Sequence, residues 1–355
     1  YELYTEFAIP LISEQPLAYY LGLEGGYRRS NYSTVGDVDV WKAGGEYAPT
    51  SWLRFRGIYN KATRAPNAFE LFQNGDQGFP AFTDPCKDAN GNGIADADEN
   101  ANPNDNVDNA RCAGDISVYG SGAFTANNQQ VQAFAFGNPN LAPETAETWT
   151  AGFVLQPDWF PIGDFRATVD YYDIRISNVI ASFGAQFFIN NCYGVGTGVS
   201  DPTACAHVTR DPVTGQVFSV DTSVGNQGEL ATKGWDIQLE WSLPIGPGQF
   251  TANELLSLID SYQINGSEYV GKTGIAATGA GIPDYKSVLS LTYNVGDWTF
   301  FGRWSYTPEM EDVIFLNGQK DPAASYIDAS VRWNVTDNFT LTGVVNNLED
   351  KQPPQ

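Results

Sequence analysis

The chain has 355 residues, a formal net charge of −23 and a single histidine. So acidic a balance excludes nucleic-acid binding, because phosphate contacts need Lys and Arg. Hydrophobic residues make up 42%, and no run of about eighteen apolar residues occurs, which excludes membrane-spanning helices.

Period-two alternation predicts about twelve strands, near 1–11, 17–31, 36–48, 51–64, 144–156, 164–177, 229–243, 249–262, 284–295, 297–307, 325–335 and 338–347. In the seventh, Trp235, Ile237, Leu239, Trp241 and Leu243 share one face, and Asp236, Gln238, Glu240 and Ser242 the other. About nine alternating residues is the length a tilted strand needs to cross a bilayer. An aromatic content of 14% suits interfacial girdles of Trp and Tyr. In the sixth strand the apolar parity shifts from Phe165, Ala167, Val169 and Tyr171 to Tyr172, Ile174 and Ile176. A bulge, or emergence from the membrane, accounts for such a shift.

The connections alternate in length. Short turns fall at 13–16, 48–51, 244–248, 296–297 and 336–338, with 157–163 slightly longer. Between them lie longer loops at 65–143, 178–228, 263–283 and 308–324, the short link near 32–35 being the exception. Short turns on one rim and long loops on the other are the arrangement of an outer-membrane barrel. The expected fold is therefore an all-β, transmembrane antiparallel β-barrel, its long loops extracellular. An open sheet leaves backbone groups unpaired in lipid, so further strands are needed for closure. The chain opens in a strand, Tyr1-Glu-Leu-Tyr-Thr-Glu-Phe7. Because export needs a leader, the sequence reads as part of a longer product.

Four cysteines form two local sets, Cys86 with Cys112 and Cys192 with Cys205. Three pairings are open, of which the two local ones are the most economical. Disulfides imply an oxidising compartment and contribute roughly 3 kcal/mol for each closed loop.

Two segments are distinctive. Thr63-Arg64-Ala-Pro66 is followed by Glu70-Leu-Phe72, and Gly137-Asn138-Pro139-Asn-Leu141-Ala-Pro143-Glu144 by Thr145-Ala-Glu147-Thr-Trp149. Together they resemble the barrel of TonB-dependent outer-membrane receptors, in which an Arg-Ala-Pro stretch ends one strand and an Asn-Pro-x-Leu-x-Pro-Glu stretch enters the next. Asn346-Asn-Leu-Glu-Asp-Lys351 with Pro353 is similar to the segment before that family's last strand, with Glu349 in place of the usual Phe. Pro66 and Pro143 bound strands, where Pro is tolerated. Glu70, Glu144 and Glu147 read as ties between loop and wall. The resemblance implies a partial barrel over 1–355, about 12 of an expected 22 strands, without the plug domain and the last strand. It implies active import of a bulky nutrient across the outer membrane of a Gram-negative bacterium. The implied partners are TonB and its inner-membrane proton-motive-force complex, outer-membrane lipid and lipopolysaccharide, and a small-molecule or oligosaccharide substrate. The cysteine-paired loops, with Arg210-Asp-Pro-Val-Thr-Gly215 after Cys205, resemble a Caulobacter-, Xanthomonas- and Sphingomonas-type branch that leans towards carbohydrate, with a ferric siderophore second. A passive porin or surface adhesin is the alternative, and it lacks energy coupling.

Within the first long loop, 88–99 matches the pattern D-x-N-x-N-G-x-x-D-x-x-E in full. Asp88, Asn90 and Asn92 offer side-chain oxygens to a hard Ca²⁺ ion, Ile94 its carbonyl, Asp96 a direct or water-mediated contact, and Glu99 both oxygens. Gly93 permits the central turn, and no amphipathic helix flanks the loop. The expected role is structural, ordering a surface lid. The same composition also suits a solvated, disordered loop. His207 beside Cys205 lacks the three or four ligands zinc needs and reads as a surface histidine. No nucleophile elbow, phosphate loop or zinc-protease motif occurs, so no catalysis is expected. Phe79, Phe82, Phe183, Phe187, Phe188 and Tyr193 either stack on a sugar or pack the loops together.

Overall fold

The computed structural model describes residues 1–352 except 89, 91, 97–105, 121–123, 125, 127–128, 212, 227, 275–279 and 314–318. Glu99 and Pro353 therefore lie outside the described residues. The chain divides into two units: 1–64, 144–179 and 228–355 form one, and 65–143 with 180–227 the other.

The first unit is an antiparallel meander of twelve long strands, each paired with its sequence neighbour in that unit. They are β1 (Glu2–Gln15), β2 (Ala18–Tyr32), β3 (Gly36–Thr50), β4 (Leu53–Arg64), β5 (Glu144–Leu155) and β6 (Asp164–Ser177). There follow β7 (Glu229–Ile245), β8 (Gly248–Ile264), β9 (Tyr285–Val295), β10 (Trp298–Thr307), β11 (Ala324–Thr336) and β12 (Phe339–Val345). The sheet ends at β1 and β12, which do not pair with each other. Among the described residues no helix is long and apolar enough to cross a membrane.

Alternation on neighbouring strands is brought into phase by register. Trp235, Ile237, Leu239 and Trp241 of β7 face Tyr171, Val169, Ala167 and Phe165 of β6 across the ladder. On the other side the first three of these lie opposite Leu258, Leu256 and Glu254 of β8. The result is one apolar and one polar face.

On the apolar face the aromatics gather in two belts. Towards the long loops, Tyr59 lies between Trp41 and Trp149 at 4.9 and 4.6 Å, and Tyr171 meets Trp235 at 5.0 Å. Tyr306 joins Tyr285 and Trp304 in the same belt. Towards the short turns, Phe55 meets Phe153, Phe160 meets Phe165 and Trp241, and Trp298 stacks on Trp333 at 5.0 Å. The Trp N–H groups find polar partners: Trp235 donates to Asp260, Trp241 to the Ile162 carbonyl and Trp304 to Ser325. An apolar ring with a wet N–H is what a membrane–water interface selects.

The parity shift in β6 now has a cause. β6 pairs with β5 and β7 without any register shift, so it contains no bulge. Beyond Tyr171 its outer positions become Asp173 and Arg175, which form an ion pair at 3.5 Å. The strand simply continues past the aromatic belt into water.

The inner face carries ion pairs. Arg303 chelates Asp328 across β10 and β11. Arg56 of β4 reaches Asp170 of β6, two strands away, with its Nε at 2.9 Å. Gly152 of β5 lies between them, and a Cβ there would sit 2.1 Å from the Asp170 carboxylate. Glycine is required because the ion pair passes over that strand.

Candidate functional site

The two long connections form a single folded unit with its own core. Val131 of the first loop and Val217, Val220, Ile189 and Tyr193 of the second are all essentially buried together. A four-stranded sheet runs through them in the order 208–210, 217–221, 132–135, 76–78. Its central pairing, Ser219 with Gln132 to Asp221 with Phe134, is parallel and joins one loop to the other. Short helices α1 (Ala68–Phe72), α2 (Asn109–Asp115), α3 (Ala185–Cys192) and α4 (Pro202–Cys205) complete it.

Both local disulfides are present, Cys86 to Cys112 and Cys192 to Cys205, and no cysteine is free. All four cysteines are buried in the common core. His207 stacks on Phe188 at 4.2 Å and its Nδ1 lies 2.9 Å from the Asp221 carbonyl oxygen. It is a packed, half-buried residue rather than a free surface one.

At the centre lies a charged network that the sequence reading did not single out. Arg210 and Asp84 form a two-pronged ion pair, both contacts 2.7 Å, with side chains only 5% and 2% exposed. Arg210 also donates to the Gly215 carbonyl and, through Nε, to the Tyr193 hydroxyl. Tyr193 donates to Asp115, which is paired with Arg111. Burial would lower the Arg210 pKa, but Asp84 outweighs it and holds the guanidinium above its ordinary value. Burial pushes the Tyr193 hydroxyl up to about 12, against the influence of Arg210. The only advance signal was Arg210 itself, one of three cations in two acidic loops.

The family-motif residues also come together. Asn67 caps α1, its side chain accepting the Glu70 N–H while the Glu70 carboxylate accepts the Asn67 N–H. This reciprocal capping box fixes the chain just past Arg64 and the buried Pro66. The second motif lies against α1: the Asn138 N–H donates to the Glu70 carbonyl, and the Gly137 N–H to that of Gln73. Leu141 is buried with Leu71 and Ile180. Pro139 is exposed and Pro143 half-buried at the foot of β5. In the wall, Arg64 chelates Glu144 at 2.6 and 2.8 Å. These residues serve architecture, Glu144 as a tie within the wall and Glu70 as a helix cap.

The described part of the 88–99 segment is held by local side-chain to backbone hydrogen bonds. The buried Asp88 carboxylate accepts the Asn92 N–H at 3.2 Å and the Gly93 N–H at 2.9 Å. Asn90 Oδ1 accepts the Asn92 N–H, and Asn92 Oδ1 the Ile94 N–H. Gly93 takes a φ of +83°, the left-handed conformation that glycine adopts without strain. Asp96 pairs with Lys87 at 3.2 Å. Among the described residues no three His, Cys, Asp or Glu side chains are clustered to hold a metal. Of the other expected ligands, Asn90, Asn92 and Ile94 are described and Glu99 lies outside the described residues.

The loop aromatics divide into packed and exposed rings. Phe82, Phe188 and Tyr193 are core. Phe183 packs on that core and stacks on Phe187 at 4.1 Å. Phe79, Phe136 and Phe218 are 57%, 48% and 61% exposed.

The loop unit contains thirteen Asp and Glu but only Lys87, Arg111 and Arg210 as cations, a net charge of −10. All three cations are in ion pairs. On the wall, Arg56, Asp170, Asp236, Gln238, Ser257 and Lys286, together with Ile237, Leu255, Leu256 and Val288, line a recess of about 420 Å³.

Two carboxylates in the loop unit tie pH to stability. Burial opposes the ionised form of Asp108, but the N–H groups of Arg111 and Ser200 hold its pKa below the ordinary value. The Thr214 and Val213 N–H groups do the same for Asp211. A carboxyl lowered in the folded state stabilises it above the unfolded pKa of about 3.9, and that contribution fades as pH falls through the folded value. Protease resistance of 65–143 and 180–227 is therefore expected to hold at pH 5 and decline below about pH 4. Asp108→Asn should start weaker and respond less to acid.

A twelve-strand antiparallel wall with two aromatic belts and a polar inner face defines an outer-membrane β-barrel protein. The family model for the TonB dependent receptor-like β-barrel matches residues 1–348, and the chain belongs to that family. The ferric enterobactin receptor of Pseudomonas aeruginosa is similar to it in structure, with a TM-score of 0.60 at 14% identity, covering 99% of this chain and 40% of that one. The siderophore receptor PirA from Acinetobacter baumannii has a TM-score of 0.54 at 14% identity, over 94% of this chain and 40% of the receptor. The chain thus spans about 40% of the length of these receptors, and at such identity the likeness is one of fold. A search of curated protein sequences gives no match.

Proposed function

We propose that the complete protein imports a bulky nutrient actively across the outer membrane, driven through TonB and the inner-membrane proton-motive-force complex. The nutrient is an oligosaccharide rather than a ferric siderophore. The observation that carries the choice is charge. Capture at loops of net charge −10, with every cation already paired, disfavours an anionic iron chelate and leaves a neutral solute unaffected. Exposed rings such as Phe79 and Phe136 offer stacking faces for sugars, and Asp, Asn and Gln side chains offer hydrogen bonds to hydroxyls. The similar siderophore receptors share the fold at 14% identity, so they do not weigh on the substrate. Lipid surrounds the belts, and lipopolysaccharide meets the wall in the outer leaflet.

A strain deleted for the protein, grown on a panel of oligosaccharides and iron sources, tests this. The expected result is lost growth on one or more sugars with iron acquisition intact. Lost growth on a ferric siderophore alone would reverse the substrate assignment.

The 88–99 segment is proposed to bind calcium, held by Asp88, Asn90, Asn92, the Ile94 carbonyl, Asp96 and Glu99. The ion would tie the acidic loop into a fixed shape and supply no chemistry. Calorimetry on the folded receptor should record calcium uptake that Glu99→Gln weakens at least about tenfold, since a bidentate carboxylate dominates such loops. An absence of uptake in the unaltered protein would sink the idea.

A further inference from the structure

Between the two aromatic belts the outer face of the sheet is apolar or small on nearly every strand. Glu254 of β8 is the only Asp, Glu, Lys or Arg there among the described residues. Its side follows from register, since it stands opposite Leu239 of β7 and Leu289 of β9. Its depth follows too. Four residues one way is Phe250, opposite Leu243 and Tyr293 near the short turns. Four residues the other way is Leu258, opposite Trp235 and Tyr285 in the other belt. Four residues span about 13 Å of strand, which puts Glu254 at mid-depth of an apolar band about 25 Å tall.

Neither water nor lipid headgroups reach that depth, so a carboxyl there needs a partner from protein. One oxygen has a partial answer: Glu254 Oε1 accepts the Ser287 hydroxyl at 2.6 Å, and Ser287 is itself buried. Oε2 has no hydrogen-bond partner among the described residues. Nothing in the fold requires a carboxyl at this position, because Leu256 and Leu258 fill the same face two and four residues on. A glutamate on the lipid face is a cost to the barrel alone, taken either as desolvation of the carboxylate or as a neutralising proton, and a cation that meets it removes that cost.

We propose that the outer wall of β7, β8 and β9 is a docking surface for a second membrane-embedded protein that presents a Lys or Arg at mid-bilayer to Glu254. A second copy of this chain does not fit that description. The described outer face carries no Lys or Arg between its belts, so a two-fold contact would bring carboxyl to carboxyl. A guanidinium or ammonium from a different chain pairs with Oε2 while Ser287 keeps Oε1. The flanking Leu239, Leu256, Leu289 and Leu291 provide the apolar surround that excludes lipid from the pair.

A photo-crosslinking amino acid placed at position 289 of the complete receptor, in native outer membranes, tests this. The expected result is one adduct whose cross-linked peptide carries a Lys or Arg within a membrane-spanning stretch. Its yield should fall at least about tenfold in Glu254→Leu, the range for removing one member of a desolvated charge pair. Glu254→Leu puts an apolar side chain on a lipid face, so heat-modifiable migration should persist and separate lost docking from lost folding. Glu254→Gln, similar in size, should lose most of the adduct as well. A receptor–receptor adduct, no adduct, an adduct without a basic membrane residue, or one indifferent to Glu254→Leu would overturn the proposal.

Discussion

Asp84→Ala is expected to destabilise the loop unit by about 3–5 kcal/mol, the usual consequence of removing one member of a buried ion pair. The effect is large because Arg210 has no route to water: its side chain is 5% exposed, and it is already committed to Tyr193 and Gly215. Loss of Asp84 leaves a guanidinium buried with only neutral acceptors. Arg210→Met leaves the Asp84 carboxylate in the same plight and should cost a similar amount. Combining Arg210→Met with Asp84→Leu should cost less than the two single changes added together, because no lone charge is then left behind. Pulse proteolysis in urea of the receptor in detergent reads this directly, the loops being cut while the barrel stays folded. Both loops should lose protection together in Asp84→Ala, since Asp84 belongs to one and Arg210 to the other.

The second large effect concerns the disulfide from Cys86 to Cys112. It closes a segment of 26 residues that contains the calcium-type sequence. Chain entropy gives such a crosslink about 3–4 kcal/mol. Cys86→Ser with Cys112→Ser should therefore approach Asp84→Ala in severity. Cys192→Ser with Cys205→Ser, closing 13 residues, should cost somewhat less. The same proteolysis measures both. Equal protection in the unaltered and the doubly substituted proteins would show that the core alone holds the loops.

Most of the wall was legible in the sequence, for a simple reason. A strand with lipid on one side and water on the other must alternate, as Trp235 to Leu243 does, and pairing along a meander is nearly local. The expected strand at 164–177 agrees residue for residue with β6. Even the parity change near Tyr172 was visible, although only the unbroken register showed that it marks an exit from the membrane. The two local disulfides followed from economy of spacing. The loop unit was not legible as a fold. Its decisive contacts join Val131 to Val217 and Val220, and Asp84 to Arg210, across a separation no local pattern encodes. Residues 132–135 and 217–221 are too short to announce themselves as strands and are stable only because they pair with each other. The two Pro-rich motifs were recognised as markers. Their physical role, one packing its backbone on the capped helix of the other, depends on a contact between segments far apart in sequence.

Energised import by the barrel is open to direct measurement. The most direct measurement is uptake of the growth-supporting oligosaccharide in the deletion strain carrying the complete gene, with and without TonB. Saturable uptake that disappears when TonB is removed or the proton-motive force is collapsed is the expected result. Uptake that continues at the same rate without TonB would make the barrel a passive pore and contradict it.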